Sequence, residues 1–413
     1  MTEFPMLKRR SFFASLVPFA ALTPFISWGQ ETAKRLLPKN PPVWTGFGLN
    51  GSSDQARYDL TREFVKASGR KLSDSDAFSF LINDLTNLLA TQQKGKVEFK
   101  EKVEFGENLL LGFAHDYETT FGGRLERNGE KANTVYIFMS GVGLILTFDK
   151  SIGWRIVSSF PFMLRMEQPG DDLKDVKAKA ISYMGAAYTS YGKAFSQMVG
   201  RFNKWDQGFN ANNFARLTKS SIHKEALEKL TLYRIQNFLN QEFIGFTTSS
   251  ALCNNLDIPL LPFQENDALS KRYAVKFSND LSAQDQINIP EADLKFEIAL
   301  RFVDKQVTVS SQKGVNIVRR KVVIRLIVID YQETFINVLA SSTGEDRMPL
   351  NTTEDDTPER DIVFFDRLID QTLNNLLMGM VTKNESQLAS VEVKLSSLAP
   401  AIPRLLQLCA NTR

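Results

Sequence analysis

Residues 294–302, LKFEIALRF, and 321–328, KVVIRLIV, decide how this chain folds. In the first, Leu294, Phe296, Ile298, Leu300 and Phe302 alternate with Lys295, Glu297, Ala299 and Arg301. In the second, Val322, Ile324, Leu326 and Val328 share one face while Lys321, Val323 and Arg325 take the other. Alternation of period two over this length is the signature of strands with one buried face and one wet face. Gln312-Lys313-Gly314 and Asp330-Tyr331-Gln332 supply turns, and Thr334 to Ser341 supplies a third strand. Residues 292–342 therefore read as a three-strand antiparallel meander, burying Phe296, Ile298, Leu300, Ile324, Leu326 and Val328.

Working outward, helical patterns flank this meander. Downstream, Thr357-Pro358 is an N-cap followed by a first-turn proline. The helix Asp361 to Val381 then sets Phe365, Leu368, Ile369, Leu373, Leu376, Leu377 and Met380 on one side. Upstream, Ile181, Met184, Tyr188, Tyr191, Phe195, Met198 and Phe202 recur within residues 173–204 at spacings of three and four, a seven-residue repeat on one helical stripe. Such a stripe must be covered, either by the chain's own sheet or by a partner helix. The chain's own sheet is the expected cover for most of it. Tyr188 and Tyr191 are expected to reach a surface through their hydroxyls, and with Phe195 they are the candidate partner-binding residues. Ser221 to Leu239 reads as a further helix, Glu242 to Ala251 and Arg272 to Phe277 as strands.

Nearer the N-terminus, helices are expected over Asp54 to Ala67 and Ser73 to Gln92. Strand material follows from Lys96 to Leu125, then Thr134 to Phe148 and Trp154 to Met166, the last two joined by a hairpin at DKSIG. The fold class is α+β, a mixed fold in which amphipathic helices pack on an antiparallel meander sheet. The expected divisions are a signal peptide over 1–29, a linker over 30–53 rich in Pro and Gly, an N-terminal α/β region over 54–168, a C-terminal α/β domain over 169–383 containing the meander, and a tail over 384–413.

The leader fixes an address. Lys8, Arg9 and Arg10 precede an apolar run from Ser11 to Gly29, broken by Pro18 and Pro24, and Ser27 and Gly29 form a small-x-small exit. Charge, apolar stretch and small-residue exit, in that order, mark a secretory signal peptide cut near Gly29. The stretch Arg9-Arg10-Ser11-Phe12-Phe13-Ala14 resembles a twin-arginine export signal, departing from it at Lys8 and Ala14. A general secretory signal and a retained anchor are the competing readings. The resemblance implies a periplasmic protein exported in the folded state.

Without residues 1–29 the chain loses Lys8, Arg9, Arg10 and Glu3, leaving 47 basic side chains against 46 acidic ones, a formal charge of +1. That balance carries no electrostatic footprint for nucleic acid. Beyond the leader no apolar run is long enough to span a bilayer. The 31 phenylalanines read as core filling. Cys253 and Cys409 make an even count, and an oxidising compartment permits one disulfide worth about 4–5 kcal/mol. Nothing in their spacing brings them together, so a bridge and two free thiols both stand.

Motifs for chemistry are few. The two histidines, His115 and His223, lie far apart with no metal-ligand spacing. His115 lies in Ala-His-Asp-Tyr-Glu, where Asp116 or Glu118 is a conceivable partner. Tyr191-Gly192-Lys193-Ala194, Gly141-Val142-Gly143 and Met139-Ser140-Gly141-Val142-Gly143 each lack residues that a phosphate loop, a dinucleotide fingerprint or a nucleophile elbow needs. Glu345, Asp346, Glu354, Asp355 and Asp356 read as a solvated acidic loop before a helix N-terminus. Arg319, Lys321 and Arg325 read as a wet sheet face on which Glu297 partners one of them. No cofactor and no metal is expected.

Val322 to Glu345, VVIRLIVIDYQETFINVLASSTGE, is similar to the later strands of periplasmic α/β domains of the curli-secretion lipoprotein and TolB amino-terminal type. The resemblance implies an envelope assembly or accessory factor and carries no site residue. It is an analogy of fold, and it departs from that group in lacking a lipoprotein cysteine. Two function classes follow: an accessory protein that binds an envelope protein partner, and a periplasmic hydrolase or small-ligand-binding protein with dispersed site residues. Replacing both Arg9 and Arg10 by Lys should leave the precursor in the cytoplasm when cells are fractionated. Unimpaired export of that variant would return the leader to the general secretory class.

Overall fold

In a computed structural model, residues 42–50, 56–71, 87, 90, 91, 97, 109–127, 130–149, 153–170, 174–205, 214–263, 272–277, 285–310, 315–331, 333–349 and 357–412 are described. The meander is present and longer than expected. Strands β8 (Leu294–Ser310), β9 (Val315–Asp330) and β10 (Glu333–Pro349) pair antiparallel in sequence order. All six residues expected to be buried there are buried. Phe302 is the exception to the alternation. A bulge between Leu300 and Phe302 shifts the register, so Val303 takes the inner face and Phe302 pairs with Val323 on the outer one. An extra residue in one strand flips everything beyond it to the other face.

A fourth strand, β5 (Ala215–Ile222), adds parallel to the free side of β8. The helix expected over Ser221–Leu239 is thus corrected. The stretch ARLTKSSI serves as an edge strand that runs through Ile222, and α3 (Lys224–Leu232) is confined to nine residues. Arg234, at φ 60°, ends it in a left-handed turn, so Ile235, Phe238 and Leu239 enter the core from a turn. The strand expected over Glu242–Ala251 is likewise a helix, α4 (Gln241–Leu256), capped by the Asn240 side chain accepting from the Phe243 amide at 2.8 Å. Every residue from Phe243 to Cys253 is buried. A helix enclosed on all sides has no amphipathic period, and its Phe, Ile and Thr residues then mimic a buried strand.

The other sheet is a closed barrel in the order β1-β2-β3-β4-β7-β6. Its strands are β1 (Val43–Asn50), β2 (Leu110–Arg127), β3 (Glu130–Asp149), β4 (Gly153–Gly170), β6 (Arg272–Phe277) and β7 (Asp285–Asn288). Of the strands expected from 96 to 166, those from Leu110 onward are here, with β3 and β4 joined as a hairpin in which Asp149 pairs with Gly153; residues 98–108 lie outside the described residues. Strand β2 runs through Gly122-Gly123 without interruption. The expected linker over 30–53 is corrected at its end: Val43–Asn50 is a strand, parallel to β2, whose first seven residues are buried. Gly46, at φ 116°, makes the register irregularity after Trp44, a conformation closed to other residues.

The boundary expected at residue 169 is not a domain boundary. Strands β6 and β7, from beyond it, close the barrel of β1–β4, and residues 35–413 form one compact unit. Helix α1 (Asp59–Ala67) follows a 3-10 turn at Ala56–Tyr58 and packs on α2 (Val176–Trp205), which lies against β2, β3 and β4. Helix α5 (Pro358–Thr382) has the expected cap, the Thr357 hydroxyl accepting from the Arg360 amide at 3.4 Å. It packs on α4 and on β9 and β10, burying all seven expected apolar residues. The tail is helical over its described residues, 384–412: α6 (Glu385–Ala389), α7 (Leu395–Leu398) and α8 (Ile402–Asn411) bury Leu388, Leu398, Ile402 and Leu405. The helix expected over Ser73–Gln92 lies almost wholly outside the described residues.

Leu326→Ala should cost about 2–5 kcal/mol because Leu326 is wholly buried. Leu339→Ala, one strand away on the outer face and 57% exposed, should change stability by less than about 0.5 kcal/mol. Urea denaturation of the two variants would show equal losses if the sheet's faces were wrongly assigned.

Candidate functional site

Two features are relevant to function: a sealed polar chain beneath α1 and α2, and an open sheet face on the far side of the meander. The sealed chain begins at His115 on β2, which is 0% exposed. A register shift between His115 and Tyr117 lets His115 and Glu118 meet, Nε2 to Oε2, at 3.1 Å. Glu118 also receives the Thr61 backbone amide at 2.8 Å and the Thr61 hydroxyl at 2.5 Å, both from α1. The Thr61 hydroxyl, already donating, accepts from the Tyr188 hydroxyl at 2.7 Å. On the other side of the ring, Nδ1 lies 3.0 Å from the Tyr191 hydroxyl. Tyr188 and Tyr191 are one turn apart on α2, so one helix grips both ends of the chain. Tyr58, from the 3-10 turn, donates to the carbonyls of Asn50 and His115.

Every hydroxyl here is drawn into the interior. Burial pushes the Tyr188 and Tyr191 hydroxyls well above the ordinary phenol range, with Glu118 adding to the first and Asp116 to the second. Burial, reinforced by Asp116, does the same to Tyr58. Tyr117, on the opposite face of β2, is pushed by burial up to about 12. Phenols that cannot ionise inside are hydrogen-bond donors at any physiological pH.

This overturns the expectation that Tyr188, Tyr191 and Phe195 meet a partner. They are 6%, 2% and 0% exposed, and the chain's own barrel covers them. Phe195 packs edge-on to Trp44 and Phe113, at 5.4 and 5.3 Å between ring centres. The hydroxyls of Tyr188 and Tyr191 end on Thr61 and His115 rather than at a surface. Phe202, last of the stripe, has a side chain outside the described residues. The glycines of the rejected Gly141-Val142-Gly143 motif have a packing role. A Cβ on Gly141 would sit 2.7 Å from the Tyr191 hydroxyl, and one on Gly143 would strike Met198 and Phe195.

The other expectations divide similarly. Cys253 and Cys409 are both buried, on α4 and α8, and no disulfide joins them. Arg9, Arg10 and Glu354–Asp356 lie outside the described residues. Arg319, Lys321 and Arg325 do share the outer face, but Glu297 partners none of them. Arg319 pairs with Glu345, Lys321 with Glu392 at 3.3 Å, and Arg325 donates to Asn337 at 2.8 Å. Asp346 is inside, 2.6 Å from Arg360, and Arg320, 0% exposed, reaches Asp361 at 2.6 Å. The pair Arg320–Asp361 had no signal in sequence beyond falling on the inner register of β9. Among the described residues no three His, Cys, Asp or Glu side chains converge to hold a metal, and no helix is long and apolar enough to cross a membrane.

The open face is the other candidate. Ala299, Phe302, Val323, Ile327, Ile329 and Leu339 lie on the register opposite the α5 side and belong to neither hydrophobic core cluster; Leu339 is 57% exposed and the other five are half-buried. Compared with known proteins, the chain matches no family model and no curated sequence.

Alkaline titration should show tyrosines that ionise only on unfolding. Their folded pKa values lie above the unfolded value near 10. Stability is therefore full below about pH 10 and falls as pH rises further, because only the unfolded chain releases those protons. Tyr191→Phe should flatten that fall. Glu118→Gln, which offers an amide donor to the Thr61 hydroxyl or to His115, should cost about 1–3 kcal/mol. Unchanged denaturation midpoints in both variants would rule out the chain as a docking device for α1 and α2.

Proposed function

We propose that this protein is an exported bacterial envelope protein, periplasmic after removal of its leader near Gly29, that acts as an accessory or assembly factor by binding another protein. The observation that carries this reading is the open face of the meander, apolar at its centre. Surfaces of this kind on folded chains mark interaction sites. The leader supports the location, and the similarity of Val322–Glu345 to periplasmic assembly domains supports the role. The runner-up is a periplasmic hydrolase or small-ligand-binding protein. Its best catalytic dyad, His115 with Glu118, is sealed at 0% and 1% side-chain exposure. A general base must come within hydrogen-bond reach of its substrate, so this pair serves docking better than catalysis.

The test is chemical crosslinking in intact cells followed by separation of the envelope fraction. The wild-type chain should enter a larger complex, and Leu339→Glu, a change on an exposed side chain, should lose it while remaining folded and exported. An envelope complex indifferent to Leu339→Glu, or a protein that stays in the cytoplasm, would overturn the proposal.

A further inference from the structure

We infer that the partner on the open face of the meander is a second copy of this chain, packed sheet to sheet. The inference rests on reading that face as a binding surface and names what covers it.

The edge of the sheet is a poor alternative to its face. Midway along β10 the Ser341 amide donates to the Val391 carbonyl at 2.9 Å. The segment after α6 thus interrupts the one row of backbone groups on which an added strand would be templated. At the other side, β5 covers the first half of β8, and α3 covers the next part through Lys229–Asp304 at 3.0 Å. Between these edges Leu339 stands 57% exposed, while the segment after α6 reaches over the β10 side, with Glu392 on Lys321 and Ser341 buried beside Val323.

Its size suits a dimer. Strand β9 has 16 residues, about 50 Å at ~3.3 Å per residue. Three strands at ~4.8 Å make about 15 Å of width, hence about 750 Å² per copy. A stable interface needs about 800 Å² from each partner. Two sheets of like twist stack with their strand directions within about 30°.

Its chemistry is arranged as an interface. The centre is apolar: Ala299, Phe302, Val323, Ile327, Ile329 and Leu339. The charges towards the rim are already engaged within the chain, in Arg319–Glu345, Lys321–Glu392, Lys229–Asp304 and Lys295–Glu291. The face therefore calls for no strongly charged partner and does not repel its own copy. Near the centre, Glu297 and Arg325 have opposite sign, sit on neighbouring strands one register step apart, and form no ion pair among the described residues. A two-fold axis lying across the strands, between the Glu297–Ile327 row and the Ala299–Arg325 row, brings Glu297 of each copy over the Ala299–Arg325 row of the other. A closed two-fold contact of this kind repeats each pairing twice.

Sedimentation equilibrium of the purified full-length exported chain tests this. The wild type should be a dimer at micromolar concentration. Leu339→Glu should be a monomer with an unchanged circular dichroism spectrum. Arg325→Glu should weaken association by tenfold or more, and Glu297→Arg combined with Arg325→Glu should restore it. A wild type that is monomeric throughout, a dimer untouched by Leu339→Glu, or a charge swap that restores nothing would overturn the inference. If the pure wild type is monomeric while Leu339→Glu still loses its envelope complex, the second copy is ruled out and the binding role stands. If Leu339→Glu changes neither, both fall.

Discussion

The packing of α2 depends on two absent side chains. Gly141 and Gly143 on β3 leave the space that Tyr191, Phe195 and Met198 of the helix occupy. Without that close approach the Tyr191 hydroxyl would stand off from His115, and the polar chain from Tyr188 through Thr61 and Glu118 would lose an end. Buried polar groups are costly unless bonded. The chain of hydroxyls, carboxylate and imidazole is therefore an asset only while α1 and α2 are both seated, and it favours one seating over others by leaving donors unmet in any other. Aromatic packing supplies the bulk of the contact, with Phe113 meeting Tyr191 edge-on at 5.0 Å between ring centres. The glycines set how near the rings come.

A second set of buried charges ties α5 to both sheets. Arg165 of the barrel strand β4 forms a forked pair with Asp366 at 2.9–3.2 Å. One turn and a half earlier on the same helix, Asp361 takes Arg320 of β9 and Lys305 of β8, the latter at 2.8 Å. Planar guanidinium groups suit such enclosed positions because they deliver several bonds in fixed geometry. Since α5 also buries its apolar stripe against the meander, the helix is the common wall of barrel and sheet. That explains why no boundary falls at residue 169.

What was legible in sequence follows from how each element is solvated. The meander strands, wet on one side, alternate visibly, and α2 and α5, each with an exposed flank, show their stripes. Helix α4 reads as a strand in sequence because Phe243–Cys253 is enclosed on every side and has no periodicity to read. Strand β1 reads as linker in sequence because two prolines precede it and its glycines, Gly46 above all, serve an irregular parallel pairing rather than a turn. The site was half legible. His115 and Glu118 are three residues apart and were a conceivable pair. Thr61, Tyr188 and Tyr191 come from helices whose docking no local pattern encodes. Arg320, between two outward-facing basic residues, was hidden by its neighbours.

Chemistry-bearing groups, four tyrosines among them, are shut inside, where burial holds their phenols protonated. Large apolar groups such as Leu339 stand outside on the meander. Were the interior polar chain catalytic, it would need an opening to substrate, yet each of its members is engaged with another and His115 is wholly enclosed. Were the outer face merely solvated, its alternation would be expected to place Lys, Glu and Thr at Phe302, Val323, Ile327 and Ile329. Hydrophobic side chains in those positions are half-buried and lie outside the core clusters of their own chain, because α5 is on the opposite side of the sheet. Their contribution comes only when something is laid over them, and that favours a protein whose interior makes it rigid and whose surface is where it acts.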